Sequence, residues 1–209
     1  MRTTSLAATL VLFAGFHAGA QQFGIDFAGG GGTANNDGWN LGYEFQVTSP
    51  VTIVGLAAWD GNTPGGLSQA VPVGLWRNDG SLLASATIAA GTLPSDPGDQ
   101  FADVGIAPIT LSPGLYDVAA LDPQIFGGFW PSLQNFTEAP GINYVQDRFA
   151  YGGLDFPGQT DSGFYGANFN GWFGGNIVTE AAEVPDGGPC FLLLTGTCLV
   201  LGIVRRKLR

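Results

Sequence analysis

The sequence is poor in the side chains on which most enzymes rely. It has one histidine, two cysteines and one lysine, and none of them falls within residues 21–186: His17 precedes this stretch, and Cys190, Cys198 and Lys207 follow it. Residues 21–186 therefore offer no imidazole base, thiolate nucleophile, Schiff-base amine or usual zinc ligand set. Carboxylate pairs, as in glycoside hydrolysis, are the catalytic means that remain.

Positive charge is equally scarce in this stretch. Arg77 and Arg148 stand against all 17 acidic residues of the chain, which gives residues 21–186 a formal charge of −15. Nucleic-acid affinity depends on Lys and Arg contacts with phosphates, and so acidic a surface repels anions, so nucleic-acid binding is excluded. The lack of cysteine also excludes a disulfide framework there.

The start of the chain predicts export. Residues 1–20 contain Arg2, an apolar region from Leu6 to Phe16 and small residues at Ala18-Gly19-Ala20. This is the pattern of a secretory signal peptide, with cleavage expected before Gln21. An N-terminal membrane anchor is the alternative, for which the apolar region is short.

The end of the chain predicts a short membrane span. Residues 189–204 form an apolar run, and the basic residues Arg205, Arg206, Lys207 and Arg209 follow it. At ~1.5 Å per residue the run is roughly 24 Å long, against a hydrocarbon core of about 30 Å, and snorkelling of the basic residues can make up the difference. Because basic ends stay cytoplasmic, residues 21–184 are expected outside the membrane. A helix buried in a soluble core is the alternative.

The two cysteines lie within this apolar run. Cys190 and Cys198 would be about 12 Å apart along a helix, which is too far for a disulfide. We expect both to act as small apolar residues, with acylation of Cys190 as the alternative.

A short signature precedes the apolar run: Val184, Pro185, Asp186, Gly187 and Gly188. The order of signature, apolar helix and basic cluster resembles the PEP-CTERM class of protein-sorting tails, and the signature is similar to its VPDSG-type variant, with Gly187 in place of Ser. In that family an exosortase, a membrane-embedded cysteine protease, recognises the tail, and cleavage is thought to occur near the signature. The resemblance covers residues 184–209 and implies an exosortase-type partner and a bacterial cell-surface or matrix destination.

The intervening stretch has the composition of a folded β domain. Glycine accounts for 34 of 209 residues, but aromatic residues make up 12%, enough apolar area for a core. Apolar residues alternate at Leu41, Tyr43, Phe45 and Val47, which predicts a half-buried strand. The further predicted strands are Phe23–Phe27, Val51–Trp59, Val71–Trp76, Leu82–Ile88, Phe101–Ile106, Ile109–Leu111 and Leu115–Leu121.

Turn signals every 8–12 residues predict an all-β fold, a single antiparallel β-sandwich of jelly-roll or immunoglobulin-like type. The Gly-rich, aromatic stretch beyond Leu121 is expected to supply long loops and closing strands. The predicted organisation is a signal peptide (1–20), a β-sandwich ectodomain (21–180), a tether with the sorting signature (181–188), a transmembrane helix (189–204) and a basic cytoplasmic tail (205–209).

Four acids are the candidates for carboxylate chemistry: Glu44, Glu138, Asp147 and Asp155. For each of them a solvated surface acid is the alternative. The turns at 60–62 and 96–99 offer oxygen ligands for Ca²⁺, but neither has EF-hand spacing, so no cofactor is expected and Ca²⁺ stays the alternative.

Aromatic residues near predicted loops are candidates for stacking on sugar rings: Trp59, Trp76, Trp130, Tyr165 and Trp172. Trp130 and Trp172 are the preferred glycan contacts, and burial in the core is the alternative for each. Taken together, the sequence predicts a non-enzymatic structural or adhesive protein of the cell surface or extracellular matrix. A glycan-binding module of the exopolysaccharide matrix is the alternative, and a carboxylate-dependent hydrolase is less favoured.

Overall fold

The computed structural model describes residues 21–27, 32–33, 38–60, 64–95, 100–122, 129–130, 136–160 and 173–180. The predicted signal peptide, sorting signature, membrane span and basic tail lie outside these ranges. Within them the regular elements are β-strands, and no helix there is long and apolar enough to cross a membrane.

The described strands are numbered in chain order. They are β1 (Gln21–Phe23), β2 (Ile25–Phe27), β3 (Gly32–Thr33), β4 (Trp39–Val47), β5 (Val51–Trp59), β6 (Val71–Arg77), β7 (Leu82–Ile88), β8 (Phe101–Leu111), β9 (Gly114–Asp122), β10 (Phe129–Trp130), β11 (Phe136–Glu138), β12 (Ile142–Tyr151) and β13 (Gly175–Glu180).

Two antiparallel sheets enclose the core. One has four strands in the order β1-β13-β5-β8, and the other has five in the order β12-β4-β9-β6-β7; the short pairs β10-β3 and β11-β2 accompany them. Buried apolar side chains from both sheets form one cluster, including Phe45 and Val118 from the five-stranded sheet and Ile53 and Ile177 from the four-stranded sheet. The prediction of an all-β, sandwich-like fold with antiparallel sheets is confirmed.

Strand β4 shows how the sequence pattern specifies the layers. Its alternating residues Tyr43, Phe45 and Val47 point into the core, as the period of two predicts. The other face of this strand is also buried, at Gly42 and Glu44. The prediction of a half-buried strand was therefore correct for one face and wrong for the other.

Strand β8 is continuous where two strands were predicted. The expected break between Ile106 and Ile109 contains Pro108. The strand continues through it with a shift in register: Ile53 pairs with Ile109, whereas Gly55 pairs with Gly105. Because β8 lies at the edge of its sheet, a proline that cannot donate a hydrogen bond is tolerated there.

The closing strands come from the Gly-rich part of the sequence. Strand β12 pairs along the length of β4, and β13 lies between β1 and β5. A Cβ atom on Gly175 would lie 2.6 Å from the backbone of Ala119 and Ala120 in the opposite sheet. Only glycine permits the two sheets to approach this closely.

A buried asparagine fixes the N-terminal strands to this closing strand. The Asn176 side-chain oxygen accepts hydrogen bonds from the Tyr43 hydroxyl (2.6 Å) and the Ile25 amide (3.3 Å), and its amide group donates to the Ile25 carbonyl (2.6 Å). Each polar atom of this side chain is thus paired, as burial demands.

Candidate functional site

The outer face of the five-stranded sheet carries three charged residues in contact, which we call the outer-face cluster: Glu44, Asp117 and Arg148. The alternation of β4 and β9 puts Tyr43 and Val118 inward and therefore turns Glu44 and Asp117 outward. These two acids are direct partners in the β4-β9 pairing.

Arg148 of β12 bridges the two acids. Its Nη2 atom contacts Glu44 Oε2, and its Nε atom lies 3.1 Å from Asp117 Oδ1. Gln146 Nε2 donates a second hydrogen bond to Glu44 Oε2, at 2.7 Å. The cluster therefore connects three adjacent strands, β12, β4 and β9.

Both acids are removed from solvent, although they lie on the outside of a sheet. Glu44 is 3% exposed and Asp117 is fully buried. The alternative that Glu44 is a solvated surface acid is wrong for this reason.

Burial changes the acidity of one member of the cluster. Desolvation raises the pKa of Asp117 to about 7; Arg148 opposes this shift and the charge of Glu44 adds to it. Near neutral pH Asp117 therefore exchanges a proton while it stays buried.

Part of the cover over this face is the segment 152–160. The Gly153 carbonyl accepts a hydrogen bond from the Asn40 side chain on the outer face (2.5 Å), and Gln159 pairs with Phe149 at the edge of β12. Between these points the Phe156 ring approaches Gly80 in the β6-β7 turn. The segment thus extends from β12, at one edge of the sheet, towards the β6-β7 turn at the other edge.

The side chain of Trp76, on β6, covers another part of the same outer face. Trp76 is 4% exposed, and its ring occupies the space where a Cβ atom on Gly74 would be. A charged cluster so enclosed holds three neighbouring strands together.

The remaining predicted acids are not members of the cluster. Glu138 is exposed, and its Oε1 atom accepts a hydrogen bond from the Tyr144 amide (2.6 Å). Glu138 belongs to β11, which pairs with β2, whereas Glu44 belongs to β4 and contacts Arg148 of β12. Of the four candidate acids, Glu44 alone is a member of the outer-face cluster.

The other two acids also have local partners. Asp147 is buried and accepts a hydrogen bond from the Thr160 hydroxyl at 3.3 Å. Asp155 is exposed and accepts one from the Phe156 amide at 2.7 Å. Both contacts order the chain around segment 152–160.

The predicted calcium turns are described only in part. Asp60 is buried and its amide donates to the Gln100 carbonyl at 2.8 Å, while residues 61–63 and 96–99 lie outside the described ranges. Among the described residues no group of three or more His, Cys, Asp or Glu side chains could hold a metal ion.

The predicted sugar-stacking residues divide into two groups. Trp59 belongs to the core, where its ring meets Phe101 edge-on at 5.4 Å, and Trp76 is buried on the outer face. For these two the alternative of burial is correct. Trp172, Tyr165 and the side chain of Trp130 lie outside what the structure describes.

An aromatic group that the sequence reasoning missed lies where β4 begins and β12 ends. The Trp39 ring packs against Tyr151 at 5.0 Å and against Phe149 at 5.8 Å between ring centroids. Tyr151 is 71% exposed, the most exposed large hydrophobic residue of the described chain. We call Trp39, Phe149 and Tyr151 the aromatic corner.

Two signals could have located these groups. Arg148 is one of only two cations in residues 21–186, so a partner among the strand acids was to be expected. Asp117 interrupts an apolar strand between Tyr116 and Val118, which places it on the opposite face. For the exposure of Tyr151 the sequence offered no signal.

Comparison with known proteins adds no family to this picture. No protein-family model, no curated protein and no solved structure matches the chain. The function must therefore be argued from the chain's own residues.

Proposed function

We propose that this chain is an exported protein of a bacterial cell surface or extracellular matrix, delivered by an exosortase-type system, with a structural or adhesive role and no enzymatic activity. The observation that carries the proposal is the sequence of the last 26 positions, in which the signature 184–188, the apolar run 189–204 and four basic residues follow one another. In this proposal residues 1–20 are removed on export and residues 189–204 hold the chain in the membrane until processing.

The β domain fits this role as the part that is displayed. We assign residues 21–180 to a single sandwich of jelly-roll or immunoglobulin-like type. A formal charge of −15 over residues 21–186 favours solubility outside the cell and disfavours binding to anionic headgroups.

The contacts of the acids support a non-enzymatic role. A general acid or base must reach the proton that it transfers. Glu44 and Asp117 are instead enclosed with Arg148, and the exposed Glu138 accepts a hydrogen bond from the Tyr144 amide. We therefore assign these acids a structural role.

The test of delivery uses the tail apart from its own domain. A reporter carrying residues 1–20 at its start and residues 181–209 at its end is expressed in a bacterium that has an exosortase. We expect an envelope-located reporter that loses its tail, and an uncut, membrane-bound reporter for the variant Pro185→Ala. Glu183→Ala, one residue outside the signature, is the matched control and should be processed normally. A reporter retained in the cytoplasm would refute the proposal.

A glycan-binding module of the exopolysaccharide matrix is the second candidate. Trp130 and Trp172 stay its proposed contacts, and the aromatic corner favours it because Tyr151 presents a ring to solvent. Binding on a polysaccharide array should be lost with Trp130→Ala or Trp172→Ala. If wild-type protein binds no polysaccharide on the array, this candidate is eliminated.

A further inference from the structure

The aromatic corner is held in place by its backbone. Gly38, with φ of 81°, lies against the Tyr151 ring: a Cβ atom there would be 3.4 Å from the ring. The Gly152 amide donates to the Gly38 carbonyl at 2.8 Å. The exposed ring is therefore fixed by a closed backbone contact and by the edge-on packing of Trp39, and its presentation to solvent costs little further ordering on binding.

The surroundings of this corner are acidic, since residues 21–186 carry a formal charge of −15. The exposed Asp155 lies two residues beyond Gly153, whose carbonyl accepts a hydrogen bond from the side chain of Asn40, the neighbour of Trp39. Both arginines of residues 21–186 are engaged elsewhere. Arg148 contacts the two acids of the outer-face cluster, and the Arg77 guanidinium lies 6.0 Å from the centre of the Tyr116 ring.

An exposed aromatic face in acidic surroundings selects for cations. A cation near such a ring is attracted by the quadrupole of the ring, and the acidic field of the domain raises its local concentration. The C–H face of a pyranose ring is apolar and stacks on an aromatic ring, whereas its substituents need polar partners. A sugar that carries an ammonium group satisfies both requirements.

We infer that the aromatic corner binds a cationic amino-sugar polysaccharide, a glucosamine-type polymer with free amino groups. Its sugar ring lies against Tyr151 and Trp39, and its ammonium group faces the acidic surroundings that include Asp155. This deepens the glycan-binding candidate by naming a ligand class and a second contact site, and it rests on the proposed export only for the place where the ligand is met.

The experiment is a calorimetric titration of the full-length chain in detergent with a glucosamine hexamer, at mildly acidic pH, where the amino groups are protonated. We expect Tyr151→Ala to weaken binding about tenfold, the scale of one cation–π and stacking contact. Tyr151→Phe keeps the ring and should bind like wild type. Leu115→Ala changes another exposed apolar residue, 42% exposed and distant on β9, and should have no effect.

Four results would overturn the inference: no binding by the wild type, unchanged binding by Tyr151→Ala, equal affinity for the fully N-acetylated hexamer, and binding of an oligolysine peptide with the same dependence on Tyr151. The last result would identify a cationic polypeptide as the partner. Because the titration uses purified protein, it does not depend on sorting. A reporter that is delivered normally would leave the proposed function intact even if the hexamer fails to bind.

Discussion

The outer-face cluster and the aromatic corner reverse the usual distribution of residues. In the first, Glu44 and Asp117 are buried, although acids of this kind are usually exposed. In the second, the Tyr151 ring is exposed, although aromatic residues supply much of a typical core. Both lie on the same sheet: the cluster spans β12, β4 and β9, and the corner lies where β4 begins and β12 ends.

The difference indicates that accessibility, and not residue type, decides which of the two groups we assign to stability and which we propose for binding. The acids have the chemistry for catalysis but are held by Arg148 inside the sheet's covering. The rings have the chemistry of a core but are held at the surface by Gly38 and Gly152. Substitutions in the cluster should therefore change stability, and substitutions in the corner should change binding.

The largest expected effect comes from removing the bridge of the cluster. Arg148→Met leaves two buried carboxyl groups without their cation, which should lower the free energy of unfolding by about 3–5 kcal/mol. Urea denaturation above neutral pH measures this. Arg77→Met is the matched control: Arg77 is exposed, and its guanidinium lies over the Tyr116 ring, so a loss of about 1 kcal/mol or less is expected. Equal losses in the two variants would show that the cluster is not a special source of stability.

The second largest effect is expected on the pH dependence of the unfolding free energy, through the titration of Asp117. The pKa of Asp117 rises from 3.8 in the unfolded chain to about 7 in the fold, so its contribution to stability is complete below about pH 4 and is lost as the pH rises through 7. The difference sets a ceiling of about 4 kcal/mol. Asp117→Asn should flatten the decline of the unfolding free energy between about pH 4 and 7.

An exposed acid provides the control for this experiment. Hydrogen bonds from Ser81 lower the pKa of Asp79, so its contribution is present at neutral pH and is lost as the pH falls, which is the opposite sign. Asp79→Asn should therefore leave the decline between about pH 4 and 7 unchanged. If Asp117→Asn also leaves it unchanged, the buried acid is not its source.

A smaller effect is expected at the covering segment. Phe156→Ala removes the half-buried ring that reaches Gly80, at a cost of about 1–2 kcal/mol. Water then gains access to the outer face, so the pKa of Asp117 should fall towards its unfolded value and the pH dependence should weaken. The titration of Asp117 can be followed by carboxyl carbon NMR. An unchanged titration would mean that segment 152–160 does not shield the cluster; Leu93→Ala, at an exposed site, is the control.

The smallest effect on stability is expected at the corner. Tyr151→Ala loses an exposed ring and one edge-on contact, so the unfolding free energy should change by less than about 1 kcal/mol. Trp76→Ala, which empties a buried site on the outer face, should lose about 3–5 kcal/mol. If urea denaturation shows a large loss of unfolding free energy for Tyr151→Ala, the aromatic corner stabilises the fold as the core does, and the comparison is contradicted.

The strands could be predicted because alternation and turn chemistry are local properties of the sequence. The period of two at Tyr43, Phe45 and Val47 predicted β4, and the predicted strands Val71–Trp76 and Leu82–Ile88 match β6 and β7. Strand β8 was split in error because Pro108 suggests a break unless one knows that the strand lies at an edge.

The cluster could not be predicted because it depends on pairing between distant strands. Glu44 is 73 residues from Asp117 and 104 from Arg148, and only the strand order β12-β4-β9 makes them neighbours. The burial of the outer face could not be predicted either, because it depends on which segments of the chain pass over the strands. The exposure of Tyr151 likewise depends on the fold and not on its neighbours in sequence.

The central claim, that the chain is exported and then processed at a sorting tail, is tested most directly by the intact mass of the protein recovered from the native bacterial envelope. We predict a species that begins at Gln21 and ends near the signature 184–188, together with a minor species that keeps the tail. Recovery of the protein from the cytoplasm at the mass of all 209 residues would contradict the account.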